Sequence, residues 1–373
     1  MITDRYQRHS LIDWFSQEDV KASSFAVIGC GAIGNEVAKN LALLGVGKID
    51  LFDFDTIEIH NLTRSVLFRA DDIGFNKAEI AGKRIKELDC SIEVNVFPGD
   101  FWDLLSFTQI SAYDAVLCCV DNFEARIKLN QLCFIAGTNL INTGIDSKFS
   151  QVEIFPFRSG KHIPCYECNL PDSVYARMQE RYSCGWLKKI AFHEKKIPTT
   201  IITSALTGSL AVANALNLIK GEPQQTAKRI LTNTFTGRST VSTLKQKDNC
   251  PACSSMKDHI AIIKATARIE NNFLLTADKE NHIITSDPVL VSYHCTKCNP
   301  NGEDATTVFQ KASDFDSALT ICQGCKSDSV DINIKDSFSI NELITNFSGK
   351  EIPAKFIRFD SKTKTTIIEL EQN

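Results

Sequence analysis

The sequence lacks an excess of basic residues, since 41 lysines and arginines stand against 45 aspartates and glutamates, a net charge of −4. This balance gives no electrostatic argument for a nucleic-acid partner or for binding to an anionic membrane surface. The N-terminus lacks the pattern of a secretory signal peptide, so we expect a cytoplasmic protein. Long apolar runs are also scarce. Residues 197–219 carry no charge, but five hydroxyl residues fall in their first eleven positions, which favours a buried helix over a membrane span.

One motif organises the first part of the chain. A short apolar run at 24–28 leads into Gly29-Cys30-Gly31-Ala32-Ile33-Gly34, a helical pattern follows, and a second apolar run ends at Asp53. Strand, glycine turn, helix, strand and acid in this order are typical of a nucleotide-binding crossover unit. Glycines let the backbone approach a phosphate at the helix N-terminus, and the acid accepts hydrogen bonds from a ribose. A tight turn without a ligand is the alternative.

Such a turn by itself predicts an NAD site, but the residues that follow it favour ATP. They add two cations and two carboxylates, namely Arg64, Lys77, Asp55 and Asp121, the last directly after an apolar run at 115–120. A nicotinamide pocket is flat and apolar and has no use for these charges. Cations neutralise charge on phosphates, and a carboxylate at a strand end can hold Mg²⁺. A helix cap at Asp121 and a surface lysine at Lys77 are the structural alternatives.

Six motifs in this order resemble the adenylating domain of ubiquitin-type activating enzymes, a family that includes MoeB, ThiF and the activating enzyme of the ubiquitin-fold modifier. They are RYQRH at 5–9, the glycine turn, DFD at 53–55, the Asn and Arg of N-x-x-R at 61–64, Lys77, and CVDN at 119–122. The resemblance covers residues 1–255. It implies an ATP- and Mg²⁺-dependent homodimer that adenylates the C-terminus of a ubiquitin-like protein.

The resemblance also implies a role for each nucleotide-site residue. Asp53 would bind the ribose, and Asp55 would support the site without touching the nucleotide directly. Gly29, Gly31 and Gly34 would form the phosphate turn. Arg64 with Asn61 would bind the phosphates across the site, and Lys77 would bind them from its helix.

Three further roles follow from the same resemblance. Asp121 would hold Mg²⁺, and Arg8 would reach into the nucleotide site of the partner subunit. Cys184 lies in a basic segment that looks like the family's crossover loop, at 170–198. Its thiolate would take the acyl group as a thioester and pass it to a conjugating enzyme. An incidental exposed cysteine is the alternative there, since some family members form no such thioester.

Three other functions remain as alternatives. In the same class, the chain would adenylate a sulfur-carrier protein, also of the β-grasp fold, without conjugation. An NAD-dependent oxidoreductase comes from another enzyme class, and a nucleotide-binding scaffold without activity is not an enzyme. The set of Arg64, Lys77 and Asp121 argues against the scaffold.

Cysteine is abundant, with 14 residues, of which eight form four Cys-x-x-Cys pairs. In a cytosolic chain such pairs favour zinc over disulfides, because two nearby thiolates can share one tetrahedral ion. The resemblance implies a first structural zinc site from Cys165, Cys168, Cys250 and Cys253. Zinc-ribbon spacing predicts a second from Cys295, Cys298, Cys322 and Cys325, with a redox pair as the alternative. We therefore expect two zinc ions per chain.

The alternation of apolar runs and helical patterns predicts an α/β fold, a Rossmann-like, doubly wound, mostly parallel sheet with helices on both faces. We expect this adenylating domain at 1–255. A small zinc-binding, β-rich domain that resembles a zinc ribbon and docks a partner is expected at 256–373. It should include a short helix at 339–347 and a closing hairpin from strands at 354–360 and 365–370.

Overall fold

The computed structural model describes residues 5–175, 198–219, 224–254, 256, 259–268 and 282–371. Cys184 lies outside the described residues. The chain divides into two compact units, of which the first comprises Met1–Asn169 and Ile197–Ser255, and Met256–Asn373 belongs to the second.

The first unit is built around one eight-stranded sheet. Its strands are β1 (Ser24–Ile28), β2 (Lys48–Phe52), β3 (Glu93–Phe97), β4 (Ala115–Cys118), β5 (Asn139–Ile145), β6 (Phe149–Phe155), β7 (Lys228–Asn233) and β8 (Ser239–Thr243). Its helices are α1 (Gln17–Ala22), α2 (Ala32–Leu44), α3 (Lys77–Leu88), α4 (Phe101–Leu104), α5 (Phe107–Ala112), α6 (Phe123–Ala136) and α7 (Ile201–Ile219). The strand order is β3-β2-β1-β4-β5-β6-β7-β8.

Pairing within this sheet changes once from parallel to antiparallel. Strands β1 to β5 are parallel, and β6, β7 and β8 extend the sheet with antiparallel pairs. The central strands are covered on both faces, since Phe25 to Ile28 in β1 and Ala115 to Cys118 in β4 are at most 1% exposed. The predicted Rossmann-like class is therefore confirmed.

Helix α7 contains the uncharged segment that the sequence predicts to be a buried helix. By length and composition it could cross a membrane, yet it contacts α2, β5 and β6, and 44% of its most apolar 18-residue stretch is buried. Gly208 permits this packing, because a Cβ there would lie 2.5 Å from the Cβ of Glu36. One face of α7 is thus a core face of the first unit.

The second unit contains a six-stranded sheet with a hydrophobic core of its own. Its elements are β9 (His259–Thr266), β10 (His282–Cys295), β11 (Thr306–Lys311), β12 (Val330–Ser339), α8 (Ile340–Phe347), β13 (Phe356–Asp360) and β14 (Lys364–Glu371). The order is β11-β10-β13-β14-β9, with β12 paired to β10. Ser339 and Glu342 form a capping box at the start of α8, and β13 and β14 pair antiparallel as the predicted hairpin. The predicted β-rich character is confirmed.

Candidate functional site

The carboxyl ends of the parallel strands form the edge at which most predicted site residues gather. Gly29 follows β1, Asp53 follows β2, and Asp121 comes soon after β4. The strand order changes direction between β1 and β4, and such a switch point leaves a crevice for a ligand. Helices α2, α3 and α6 begin at the same edge. Asn76 and Asn122 cap α3 and α6, whereas no side chain caps α2, so the N-terminus of α2 favours an anion.

The three glycines of the turn meet different demands. A Cβ at Gly29, whose φ is +90°, would lie 2.9 Å from the Cys119 carbonyl oxygen. A Cβ at Gly34 would lie 1.9 Å from the Gly29 carbonyl oxygen. A Cβ at Gly31 would meet no atom within 4 Å. The fold therefore requires glycine at Gly29 and Gly34. Gly31, in contrast, presents bare backbone to open space at a helix N-terminus, as a phosphate site needs.

Asp53 closes the glycine turn from the end of β2. Its Oδ2 accepts a hydrogen bond from the Cys30 N–H at 2.6 Å, and its Oδ1 accepts one from the Asp55 N–H at 2.8 Å. Burial raises the pKa of the Asp53 carboxyl, although the Asp55 N–H and the nearby Lys77 oppose this effect. Each carboxylate oxygen has a further lone pair, so Asp53 retains the capacity to accept a ribose hydroxyl.

Lys77 is held at this edge by Asp55. Its Nζ lies 2.7 Å from Asp55 Oδ2, and the lysine side chain is 12% exposed against 53% for the aspartate. Asn76 caps α3 and donates from Nδ2 to the carbonyl oxygens of Asp53 and Asp55 at 3.0 and 3.2 Å. An ammonium has three donors, so Lys77 can bind a phosphate oxygen while it remains paired with Asp55.

Asn61 lies in the 3₁₀ turn Ile59–Thr63, which Arg64 directly follows, and both side chains bind backbone atoms in or next to this turn. The buried Asn61 accepts at Oδ1 from the Glu58 N–H at 2.8 Å, and Arg64 donates from Nη1 to the His60 carbonyl oxygen at 2.9 Å. Among the described residues, neither side chain forms a hydrogen bond or an ion pair with the glycine turn. Their phosphate roles stay predictions.

Arg8 and Asp121 are both exposed. The N-terminal segment that carries Arg8 is anchored on its own unit, because the Tyr6 hydroxyl donates to Asp89 and Arg5 Nη1 lies 3.8 Å from Asp89 Oδ2. Arg5 thus forms an intrachain ion pair, whereas Arg8 is exposed.

The cysteine pairs form two four-cysteine clusters, as predicted. In the buried first cluster, Cys165 Sγ lies 3.9 Å from Cys168 Sγ and 3.6 Å from Cys250 Sγ, while Cys168 Sγ lies 3.4 Å from Cys253 Sγ. Four thiolates bound at about 2.3 Å around one tetrahedral zinc ion would be about 3.8 Å apart. The donor set therefore fits zinc and leaves no ligand position for water.

The second cluster has the same geometry in a more open setting. The Sγ separations are 3.7 Å for Cys295 and Cys325 and 3.8 Å for Cys298 and Cys322. Cys298 and Cys325 are exposed. The Ser329 hydroxyl contacts Cys295 Sγ at 3.1 Å and the Ser327 hydroxyl contacts Cys325 Sγ at 2.9 Å, which suits hydrogen bonding to thiolates. These residues also fit a zinc ion, and metal occupancy stays a prediction at both clusters.

Comparison with known proteins identifies the first unit. The model of the ThiF family matches residues 5–255. This chain belongs to the ThiF family. The family resemblance inferred from the motifs is confirmed, and the ThiF match ends directly before Met256–Asn373, the C-terminal part of the second unit.

Relatives of the ThiF domain have different substrates in their names. A sulfur carrier protein adenylyltransferase of Thermus thermophilus is 28% identical over 256 residues, 67% of this chain and 90% of that protein. A ubiquitin-like modifier-activating enzyme 5 of Drosophila grimshawi is 32% identical over 214 residues, 54% of this chain and 52% of that protein. The SUMO-activating enzyme subunit uba-2 of Caenorhabditis elegans is 39% identical over 153 residues, 40% of this chain and 26% of that protein.

A solved structure shows the same fold. MccB of E. coli, crystallised with ATP, has a TM-score of 0.54 and 25% sequence identity, and the match covers 67% of this chain and 74% of MccB. The likeness therefore covers about as large a share of the chain as the ThiF match does.

Asn35 supports the glycine turn, and motif analysis missed it. Fully buried, it donates from Nδ2 to the carbonyl oxygens of Cys30 and Gly31 at 2.6 and 3.1 Å, and its Oδ1 accepts from the Leu67 N–H at 2.9 Å. It therefore ties the glycine turn to the segment that follows Arg64. The available signal was an asparagine inside a helix, which is unfavourable unless its amide has partners.

The cysteines outside the clusters differ in reactivity. Burial raises the pKa values of the Cys30, Cys118 and Cys133 thiols, and it raises that of Cys119 to about 12. Such thiols are poor nucleophiles at neutral pH. Among the described cysteines outside the clusters, only Cys90 is exposed.

Proposed function

We propose that this protein uses ATP to adenylate the C-terminal carboxylate of a ubiquitin-like or sulfur-carrier protein with a β-grasp fold. The observation that carries the proposal is the bare Gly31 backbone at the N-terminus of α2, beside Asp53 and the Lys77–Asp55 pair, in a domain of the ThiF family. Relatives with adenylyltransferase and activating-enzyme names support the same reaction.

The reaction would be a substitution at the α-phosphorus of ATP. The substrate carboxylate attacks that phosphorus, a bond to the carboxylate oxygen forms, and the bond to the leaving pyrophosphate breaks. The Gly31 backbone and Lys77 bind phosphates, and Asp53 binds the ribose. Asp121 would be the carboxylate for Mg²⁺, which when bound supplies neutralisation of phosphate charge. The protein thus contributes position and electrostatic stabilisation rather than covalent chemistry in this step.

We further propose that the chain works as a homodimer in which Arg8 serves the partner's nucleotide. Arg8 is exposed on an anchored segment. Nearby, an apolar groove of about 670 Å³ is lined in part by Trp14, Leu43 and Leu216, and the first two side chains are 62% and 46% exposed. A two-fold interface over this groove would bury them and make each site depend on both chains.

Complementation between defective chains tests the shared site. Arg8→Ala and Asp121→Ala homodimers should each be strongly impaired in ATP–pyrophosphate exchange. A heterodimer of the two contains one doubly defective site and one site with wild-type Arg8 and wild-type Asp121, so up to half of the wild-type activity should return. Verified heterodimers that remain inactive would show that Arg8 acts within its own chain and would refute the shared site.

For the second step we propose that the Cys184 thiolate attacks the acyl carbon of the adenylate, so that a thioester forms and AMP leaves. The thiol of a conjugating enzyme, recruited through the second unit, would then take the acyl group and release Cys184. Cationic neighbours of Cys184 in the sequence, including Lys188 and Lys189, favour its thiolate. The competing reading is adenylation of a sulfur carrier without a thioester. It is favoured by the adenylyltransferase of Thermus thermophilus, 90% of which is matched by this chain.

Two measurements separate these readings. ATP–pyrophosphate exchange that depends on an added β-grasp protein ending in Gly-Gly tests adenylation, and its absence with every such protein would remove the proposed function. A thiol-sensitive adduct between the chain and the added protein then favours the ubiquitin-like reading. Exchange without any adduct favours the sulfur-carrier reading.

A further inference from the structure

Arg126, in the first turn of α6, binds the carboxyl ends of two adjacent strands. Its Nη2 donates to the carbonyl oxygen of Val120, just beyond β4, and its Nη1 donates to the carbonyl oxygen of Thr143 in β5. Nη1 also donates to Asn142 Oδ1 at 2.7 Å. A guanidinium presents its donors in one rigid plane, so a single side chain holds these three acceptors at fixed separations.

A buried polar network sets the orientation of this arginine. Asn142 donates from Nδ2 to Glu153 Oε2 at 2.6 Å, and Glu153 Oε1 accepts from Arg229 Nε at 2.8 Å. Glu153 has no exposed surface, so its charge has to be paired where it lies. Asn142 and Glu153 are directly opposite each other in the β5–β6 register. The position of Arg126 is therefore determined by β5 and β6 as well as by its own helix.

The contact with Val120 bears directly on Asp121. The carbonyl that Arg126 holds belongs to the peptide that joins Val120 to Asp121, so the hydrogen bond fixes the direction in which the chain leaves β4. Asp121 itself is exposed. A carboxylate in such a position binds a cation well only if its backbone is held, because a misplacement of about 1 Å weakens a preorganised site strongly.

We propose that Arg126 is a positioning residue for Asp121 and that its contacts with β4 and β5 increase the affinity of the site for Mg²⁺-bound ATP. The inference rests on the proposed function, in which Asp121 is the carboxylate for Mg²⁺. It assigns Arg126 no contact with the nucleotide.

Arg158 provides a matched control at the opposite end of the same two strands. Its Nη2 donates to the Tyr113 carbonyl oxygen at 2.7 Å, its Nη1 lies 3.4 Å from Asp114 Oδ1, and its N–H donates to Asn139 Oδ1. These partners come just before β4 and at the start of β5. The side chain of Arg158 thus binds the segment just before β4, at the edge away from Asp121, and its backbone makes the contact with β5.

The test compares ATP binding by calorimetry, with Mg²⁺ and with EDTA, in the full-length wild type, Arg126→Lys, Arg126→Met and Arg158→Met. The ratio of the two ATP affinities measures the contribution of Mg²⁺. We expect Arg126→Lys and Arg126→Met to reduce that ratio by roughly tenfold, the scale of one lost hydrogen bond to a charged group, and to leave metal-free binding unchanged. Arg158→Met should retain the wild-type ratio. In an Asp121→Asn background, Arg126→Lys should have no further effect.

Several outcomes would overturn the proposal. They are a wild-type ratio in Arg126→Lys, an equal loss in Arg158→Met, or an additive loss in the Asp121→Asn background. If Arg126→Met does not fold, Arg126→Lys decides, and failure of both to fold while Arg158→Met folds makes Arg126 a purely structural residue. Missing exchange activity in the wild type would contradict the proposed function but leaves this binding comparison valid. If Mg²⁺ does not change the ATP affinity of the wild type, both the proposed function and the positioning role of Arg126 are contradicted.

Discussion

A single methyl group at Gly31 should separate nucleotide binding from folding. Its φ of −73° is accessible to alanine, and the added Cβ would meet no atom within 4 Å. The folding cost should be limited to the weaker helix cap, about 1 kcal/mol. A phosphate bound to the turn would meet the methyl group. Losing one charge-assisted hydrogen bond, about 1.5–3 kcal/mol, should weaken ATP binding roughly ten- to hundredfold.

Gly34→Ala is the matched control for Gly31→Ala, because its Cβ would overlap the Gly29 carbonyl oxygen at 1.9 Å. That clash should destabilise the unit by about 1–3 kcal/mol or more. Calorimetric ATP titration and urea unfolding measure the two effects on each variant. Gly31→Ala that binds ATP as tightly as wild type, or that loses as much stability as Gly34→Ala, would refute the assignment of a phosphate to this backbone.

Three further predictions test the chemistry and the metals. Lys77→Ala should lower ATP–pyrophosphate exchange about a hundredfold, and near-normal exchange would remove its phosphate role. Cys184→Ala should keep exchange but lose the thiol-sensitive adduct, whereas Cys90→Ala should keep both; an adduct that survives Cys184→Ala means another acceptor. Metal analysis should find about two zinc ions per chain. Cys165→Ser should destabilise the ThiF domain, and Cys322→Ser should spare exchange. Equal losses of exchange in these two variants would contradict separate roles for the two zinc sites.

The parts of the site that sequence analysis predicted are those encoded by short-range patterns. Gly29, Gly34 and Asp53 are recognisable because a strand, a tight turn and a helix impose their spacing within one crossover unit. The four Cys-x-x-Cys pairs are recognisable for the same reason. Which pair joins which is a tertiary property, and for Cys165 and Cys250 the family resemblance was needed to propose it.

The residues that sequence analysis missed act through contacts between distant segments. Asn35 reaches Leu67, and Arg126 is connected through Asn142 to Glu153, a residue in a different strand. In the sequence, each of these residues is an ordinary polar residue of a predicted helix or strand. Only the pairing of β4, β5 and β6 in one sheet shows that polar atoms of such residues form hydrogen bonds with one another in the core.

The two arginines of the N-terminal segment show how one distant partner can decide a role. Arg5 and Arg8 lie three residues apart, and composition does not distinguish them. Asp89 does, because it pairs with Arg5 and accepts the Tyr6 hydroxyl, so that this segment is held on its own unit with Arg8 exposed. A cation that reaches a partner's phosphates needs such an anchor, since a mobile segment would lose conformational entropy on each binding event. The Tyr6–Asp89 contact is therefore part of what the shared site would require.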